Sequence, residues 1–150
     1  NAIWKIPAER MKMRVEHVVP LSKQALGLLR YIKKLYPSED YVFYRGQPET
    51  PLVDHALIIA LYYLGYKHRM TVHGFRAIAS TILNEHEFRA DVIERQLAHA
   101  ESNQVRRAYN RAQYMQERTD LMQWWGDYLD KMCPFNSDEM PDNRLLFLFL

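Results

Sequence analysis

The sequence predicts a mainly α domain with a small N-terminal β-hairpin or ribbon. Three observations carry that expectation. Five stretches read as helices, from apolar spacing, apolar runs and capping residues. Only two short runs near the start, Ala2 to Ile6 and Glu16 to Val19, form a clearly β-prone pair. The 150 residues are 48% apolar and 25% charged, a balance that suits one packed domain over residues 1–150, with 134–150 as a tail.

The polar, basic stretch from Pro7 to Arg14 separates the two β-prone runs and reads as the charged tip of a hairpin. It lacks Asn-Gly, so its register is not fixed by the turn. Ser22 can cap a helix in which Ala25, Leu28, Leu29, Ile32 and Leu35 share one stripe, and Pro37 ends it. Tyr41 to Pro51 reads as a loop containing a short aromatic strand, Tyr41 to Tyr44. Leu52 to Tyr66 is an apolar-rich helix. Thr71 can cap the next, from about Val72 to Asn84. Asp91 with Glu94 resembles a capping box that starts a short helix ending near His99. A polar turn, Glu101 to Asn103, leads into a helical stretch from about Val105 to Lys131. Pro134 to Arg144 is loop-like, and Leu145 to Leu150 is an unbroken apolar end.

Composition excludes several classes. The net charge of +2 rules out a strongly basic tail but leaves room for a local basic face. A single cysteine, Cys133, cannot form a disulfide within the chain, and a cytosolic setting is the simpler reading. No apolar run approaches the ~20 residues that cross a bilayer, and no secretory signal opens the chain. The chain starts on Asn1 and enters a strand at once, as a piece cut from a longer protein would.

The sharpest local string is Thr71-Val72-His73-Gly74-Phe75-Arg76. Its His and Arg stand three apart and share a helix face, offering a proton-transfer group and a bidentate phosphate clamp. Gln96-Leu97-Ala98-His99 follows, and Tyr109 comes ten residues after His99. This order resembles the tyrosine recombinase signature. Met11-Lys12-Met13-Arg14 followed by Val18-Val19-Pro20-Leu21-Ser22 looks like the β-hairpin lysine segment of that family. His73-Gly74-Phe75-Arg76-Ala77, Ala108-Tyr109-Asn110-Arg111 and Leu121-Met122-Gln123-Trp124-Trp125 look like its phage and prophage integrase branch. The resemblance covers nearly all of residues 3 to 131.

The chemistry accounts for these residue types. A tyrosine oxygen can attack a phosphodiester and store the bond as a phosphotyrosine. Its unperturbed pKa of about 10 calls for nearby cations or a base. Arginines stabilise charge on the non-bridging oxygens, and a proton must reach the leaving 5′ oxygen. The resemblance implies Tyr109 as nucleophile, Arg76 as phosphate clamp, His73 and His99 in proton handling and phosphate contacts, and Lys12 as general acid. It implies no metal or nucleotide cofactor. It implies double-stranded DNA attachment sites as partner, a tetramer on DNA, and a place in the cytoplasm of a bacterial host, near its nucleoid. Arg10, Arg14, Arg106, Arg107 and Arg111 are candidate contacts to DNA phosphates. The family also uses an upstream arginine followed by an acidic residue, neither of which the sequence displays. Losing such a cation costs about 10²–10³ or more in rate, so the piece alone is expected to be nearly inert.

Plainer readings stand beside these. His73 and Arg76 also suit a solvated helix face, and His99 suits a helix end. Tyr114 competes with Tyr109 as nucleophile, and Lys5 lies near Lys12. The basic residues also suit a solvated face. Trp124, Trp125 and Tyr128 read as docking anchors more readily than as base-stacking platforms. His17, His55, His68, His86 and Cys133 show no metal spacing. The competing function is a nonenzymatic DNA-binding or interaction module that keeps the fold. The apolar end, Leu145 to Leu150, favours self-association, as a dimer or a swapped exchange.

Overall fold

The computed structural model describes residues 2–98 and 113–132. They fall into two compact units, one of residues 2–26, 79–98 and 113–132, the other of residues 27–78. Five α-helices and two small antiparallel hairpins make up the described elements, in line with the mainly α expectation.

The first unit opens with strands β1 (Ile3–Ile6) and β2 (His17–Pro20), paired antiparallel from Ile3↔Pro20 to Ile6↔His17. A short 3-10 turn, Ala8–Arg10, occupies part of the charged tip. Ser22 caps helix α1 (Lys23–Leu35), its Oγ accepting from the Ala25 N–H at 3.1 Å. The core of this unit gathers Leu83 of α3 (Gly74–Glu85), Val92 and Ile93 of α4 (Ala90–Gln96), and Leu121 of α5 (Met115–Met132). Phe88, Leu97, Tyr114, Met122, Trp124 and Trp125 pack around it. Tyr128 stacks on both tryptophans, at 5.2 and 5.7 Å, and His86 lies 4.7 Å from Trp124. The aromatic face of α5 is therefore packed within its own unit.

Two expectations fail in this unit for tertiary reasons. The helix expected from Val105 to Lys131 does not run through residues 113 and 114. Tyr114 has φ 46°, and α5 begins at Met115. Tyr114 instead lays its ring under the Arg89 guanidinium at 5.1 Å and hydrogen-bonds Asp91, contacts a continuous helix would forfeit. The capping box at Asp91 does not form either. Arg89 holds the N-cap position without a side-chain cap, and Asp91 binds Arg89 at 2.7 Å.

The second unit holds most of α1, a hairpin of β3 (Tyr44–Arg45) and β4 (Gln47–Pro51), helix α2 (Ala56–Tyr63) and the start of α3. The strand expected over Tyr41 to Tyr44 is displaced. The chain reverses at Gly46, whose φ of 70° suits glycine, so pairing begins at Tyr44 and the preceding residues stay outside the sheet. Ser38 organises them, its Oγ accepting from the N–H groups of Asp40 and Tyr41 and donating to the Pro48 carbonyl. Helix α2 is shorter than its apolar run. Gly65, with φ 83°, ends it in a Schellman motif: Tyr66 N–H donates to the Leu61 carbonyl and Gly65 N–H to the Tyr62 carbonyl.

Candidate active site

The start of α3 carries the central pair. Thr71 Oγ1 accepts from the Gly74 N–H at 3.2 Å and fixes where the helix begins, as expected. His73 lies just before the first helical residue, and the Arg76 N–H donates to its carbonyl at 3.0 Å. The two residues are thereby one turn apart. His73 is exposed and Arg76 half-buried. The first turn carries no acidic residue, so neither the helix dipole nor a neighbouring carboxylate on the helix opposes an anion there. Upstream, an exposed turn adds two cations held on rings: Lys67 lies 5.8 Å from the Tyr62 centroid and Arg69 5.6 Å from that of Tyr66. The sequence does not mark either one, because the short basic run Lys67-His68-Arg69 carries no periodic signal.

In the first unit, the hairpin tip displays Arg10, Lys12 and Arg14, all exposed. Arg14 takes a positive φ of 54° and its Nη1 donates to the Glu9 carbonyl at 3.2 Å, which fastens the tip to itself. His99, Arg106, Arg107, Tyr109, Arg111 and Cys133 lie outside the described residues, as does the apolar end Leu145 to Leu150. The segments that border them are described. Helix α4 ends at Gln96, leading toward His99. Gln113 and Tyr114 follow the Tyr109 region.

Between those borders sits a residue that sequence reading missed. Arg118 of α5 is fully buried. Its Nε donates to Gln96 Oε1 at 2.8 Å, its Nη1 to the Gln113 carbonyl at 3.3 Å, and its Nη2 to the Val18 carbonyl of β2. The buried His17 donates from Nε2 to the Gln96 carbonyl at 3.2 Å. Burial, followed by repulsion from Arg95, lowers the Arg118 pKa to about 10, so it keeps its charge at neutral pH. At Asp91, partial burial opposes ionisation. Hydrogen bonds from Arg89 and Tyr114, the Arg89 charge and the Val92 N–H outweigh it and hold the carboxyl below its usual range. Among the described residues, no group of three or more His, Cys, Asp and Glu side chains is placed to hold a metal ion. Nor is any helix among them long and apolar enough to cross a membrane.

The model of the Phage integrase family matches residues 1–116, more than three quarters of the chain. The chain belongs to the phage integrase family. Among curated proteins, the prophage integrase IntA of Escherichia coli (strain K12) is 47% identical over 125 residues, 83% of this chain and 30% of that protein. The integrase of Shigella phage Sf6 is 44% identical over 133 residues, 87% of this chain and 34% of its own length. The integrase of Enterobacteria phage P4 is 38% identical over 147 residues, again 87% and 34%. This integrase-family chain thus spans about a third of the length of the curated relatives it matches. No solved structure gave a significant match.

Proposed function

We propose that this chain supplies the strand-cutting and rejoining site of a phage or prophage integrase acting on double-stranded DNA attachment sites. The observation that carries the reading is that His73 and Arg76 stand one turn apart at the start of α3, in a chain of the integrase family. The Tyr109 oxygen attacks the scissile phosphorus, and the bond from phosphorus to the 5′ oxygen breaks. A 3′-phosphotyrosyl link and a free 5′ hydroxyl result, the proton coming from Lys12. Arg76 grips the non-bridging oxygens as negative charge develops, and the roles left to His73 and His99 are phosphate contact and proton handling, including acceptance of the phenolic proton that Tyr109 gives up. The phosphotyrosyl link keeps the energy of the broken bond, so rejoining by another 5′ hydroxyl requires no nucleotide.

Arg10, Arg14, Arg106, Arg107 and Arg111 neutralise flanking phosphates in this reading, and four copies assemble on two duplexes in the host cytoplasm. The isolated 150-residue piece is expected to be nearly inert, because the reaction also uses an upstream arginine. What supports Tyr109 over Tyr114 is the employment of Tyr114 elsewhere: its ring packs on the first unit's core and beneath Arg89, and its hydroxyl binds Asp91.

The test is a chimera in which this chain replaces the matching segment of IntA, assayed on an attachment-site duplex. It should form a covalent protein–DNA adduct that survives denaturant. Tyr109→Phe should abolish the adduct and leave DNA affinity within about twofold, since only the attacking oxygen is removed. Cleavage by the substituted protein would refute the assignment.

A further inference from the structure

We propose that Arg118, seconded by Arg95, is a positioning residue: it ties together β2, the end of α4 and Gln113, the described residues that border the segments bearing Lys12, His99 and Tyr109. The inference rests on the reading that Lys12, His99 and Tyr109 carry the chemistry. The three oxygen acceptors of Arg118 are what single it out, beside a weaker contact from Nη1 to Met115 Sδ at 3.6 Å. Val18 lies in β2, the strand that returns from the Lys12 tip. Gln96 is the last residue of α4, three before His99. Gln113 stands four after Tyr109. One planar guanidinium therefore bonds to a neighbour of each segment. Its fork geometry is what allows three divergent bonds from a single side chain, which a lysine ammonium at the end of a flexible stem cannot reproduce.

Two further contacts tighten the same junction. Arg95 of α4 donates from Nε and Nη2 to Gln113 Oε1, at 3.2 and 2.7 Å, so Gln113 is held by its backbone from α5 and by its side chain from α4. His17 ties β2 to the Gln96 carbonyl. The partners of Arg118 are all neutral, and among the described residues no carboxylate pairs with it. A fully buried guanidinium without a counter-charge is a costly way to fill a core, and an apolar side chain of similar volume would avoid the desolvation. The placement of its donors explains why a guanidinium stands there.

The experiment uses the same IntA chimera and an attachment-site duplex nicked beside the scissile phosphate. The nick lets the short cleaved strand diffuse away, so covalent complex accumulates. Three quantities are read: the single-turnover rate of adduct formation at saturating protein, the DNA affinity, and the melting temperature. A positioning role predicts that Arg118→Lys slows adduct formation by at least about tenfold, because misplacing a reacting group by an ångström is that damaging. DNA affinity should stay within about twofold, because Arg118 is buried and makes no phosphate contact. An unchanged rate overturns the proposal. So does a rate that falls only in step with affinity and melting temperature, the mark of a merely structural residue. Should Arg118→Lys fail to fold, Gln113→Ala decides, since it removes an exposed side chain and only the Arg95 bond. A slower rate at unchanged melting temperature supports the proposal, and an unchanged rate overturns it. Absence of any adduct from the unsubstituted chimera overturns instead the assignment of Tyr109, and the positioning role with it.

Discussion

Asp91 shows how one side chain links local stability to pH. Its folded pKa lies below its unfolded value, so the stability it contributes is fully present above the ordinary carboxylate pKa of about 3.9. That contribution is lost as pH falls through the folded value. Asp91→Asn should therefore lower the urea midpoint near neutral pH and converge with the parent chain only at an acid pH below the folded pKa. The effect should stay below about 1 kcal/mol, because the Arg89 pair is partly exposed and screened. An equal loss at both pH values would show that the hydrogen bonds matter and the charge does not. Arg118 marks the limit of reading single residues from sequence. In Gln116-Glu117-Arg118-Thr119 it looks like one more polar residue on a solvated turn, and only the packing of β2, α4 and α5 around it reveals its burial. His73 and Arg76 were legible because their partnership is local, fixed by helical spacing and the Thr71 cap.

At the level of elements, what the sequence made plain was whatever depends on short range. The N-terminal hairpin, the Ser22 and Thr71 caps and the existence of all five described helices follow from periodicity, capping chemistry and, for α2, an uninterrupted apolar run. What escaped was decided by distant contacts. The break before α5 follows from Tyr114 joining Arg89 and Asp91, and nothing in its neighbours announces it. The β3–β4 pair was obscured because Pro48 and Pro51 are poor strand formers, tolerated only in an edge strand of a two-stranded sheet. Gly126 of α5 makes a sharper case. A Cβ there would lie 2.9 Å from Ser22 Oγ and 2.5 Å from Gln24 Oε1. Ser22 is the cap of α1, and Gln24 bonds Asp127 at 2.7 Å and Asp130 at 2.9 Å, so this approach joins α1 to α5. Alanine improves helix propensity by about 1 kcal/mol but must disturb both the cap and the Gln24 bonds. Gly126→Ala should therefore destabilise the chain by roughly 1 kcal/mol net, read by chemical denaturation. A stabilised variant would mean that Gln24 swings aside freely and that the close approach is incidental.

For the whole molecule, the proposed function makes DNA binding electrostatic and DNA cutting chemical, and the two should separate. In the IntA chimera, replacing both Arg10 and Arg14 by Gln should weaken binding with little dependence on DNA sequence. The slope of log affinity against log salt should become shallower by roughly 1–2, as expected when one or two phosphate contacts are lost. An unchanged slope would return the hairpin tip to the status of a solvated face. The proposed chemistry turns on one atom, the Tyr109 oxygen. The most direct measurement is peptide mapping by mass spectrometry of the trapped covalent complex, after digestion of both DNA and protein. A nucleotide remnant is expected on the peptide at Tyr109 and on no other tyrosine. A remnant on Tyr114, or cleaved DNA with no remnant on any residue, would contradict it.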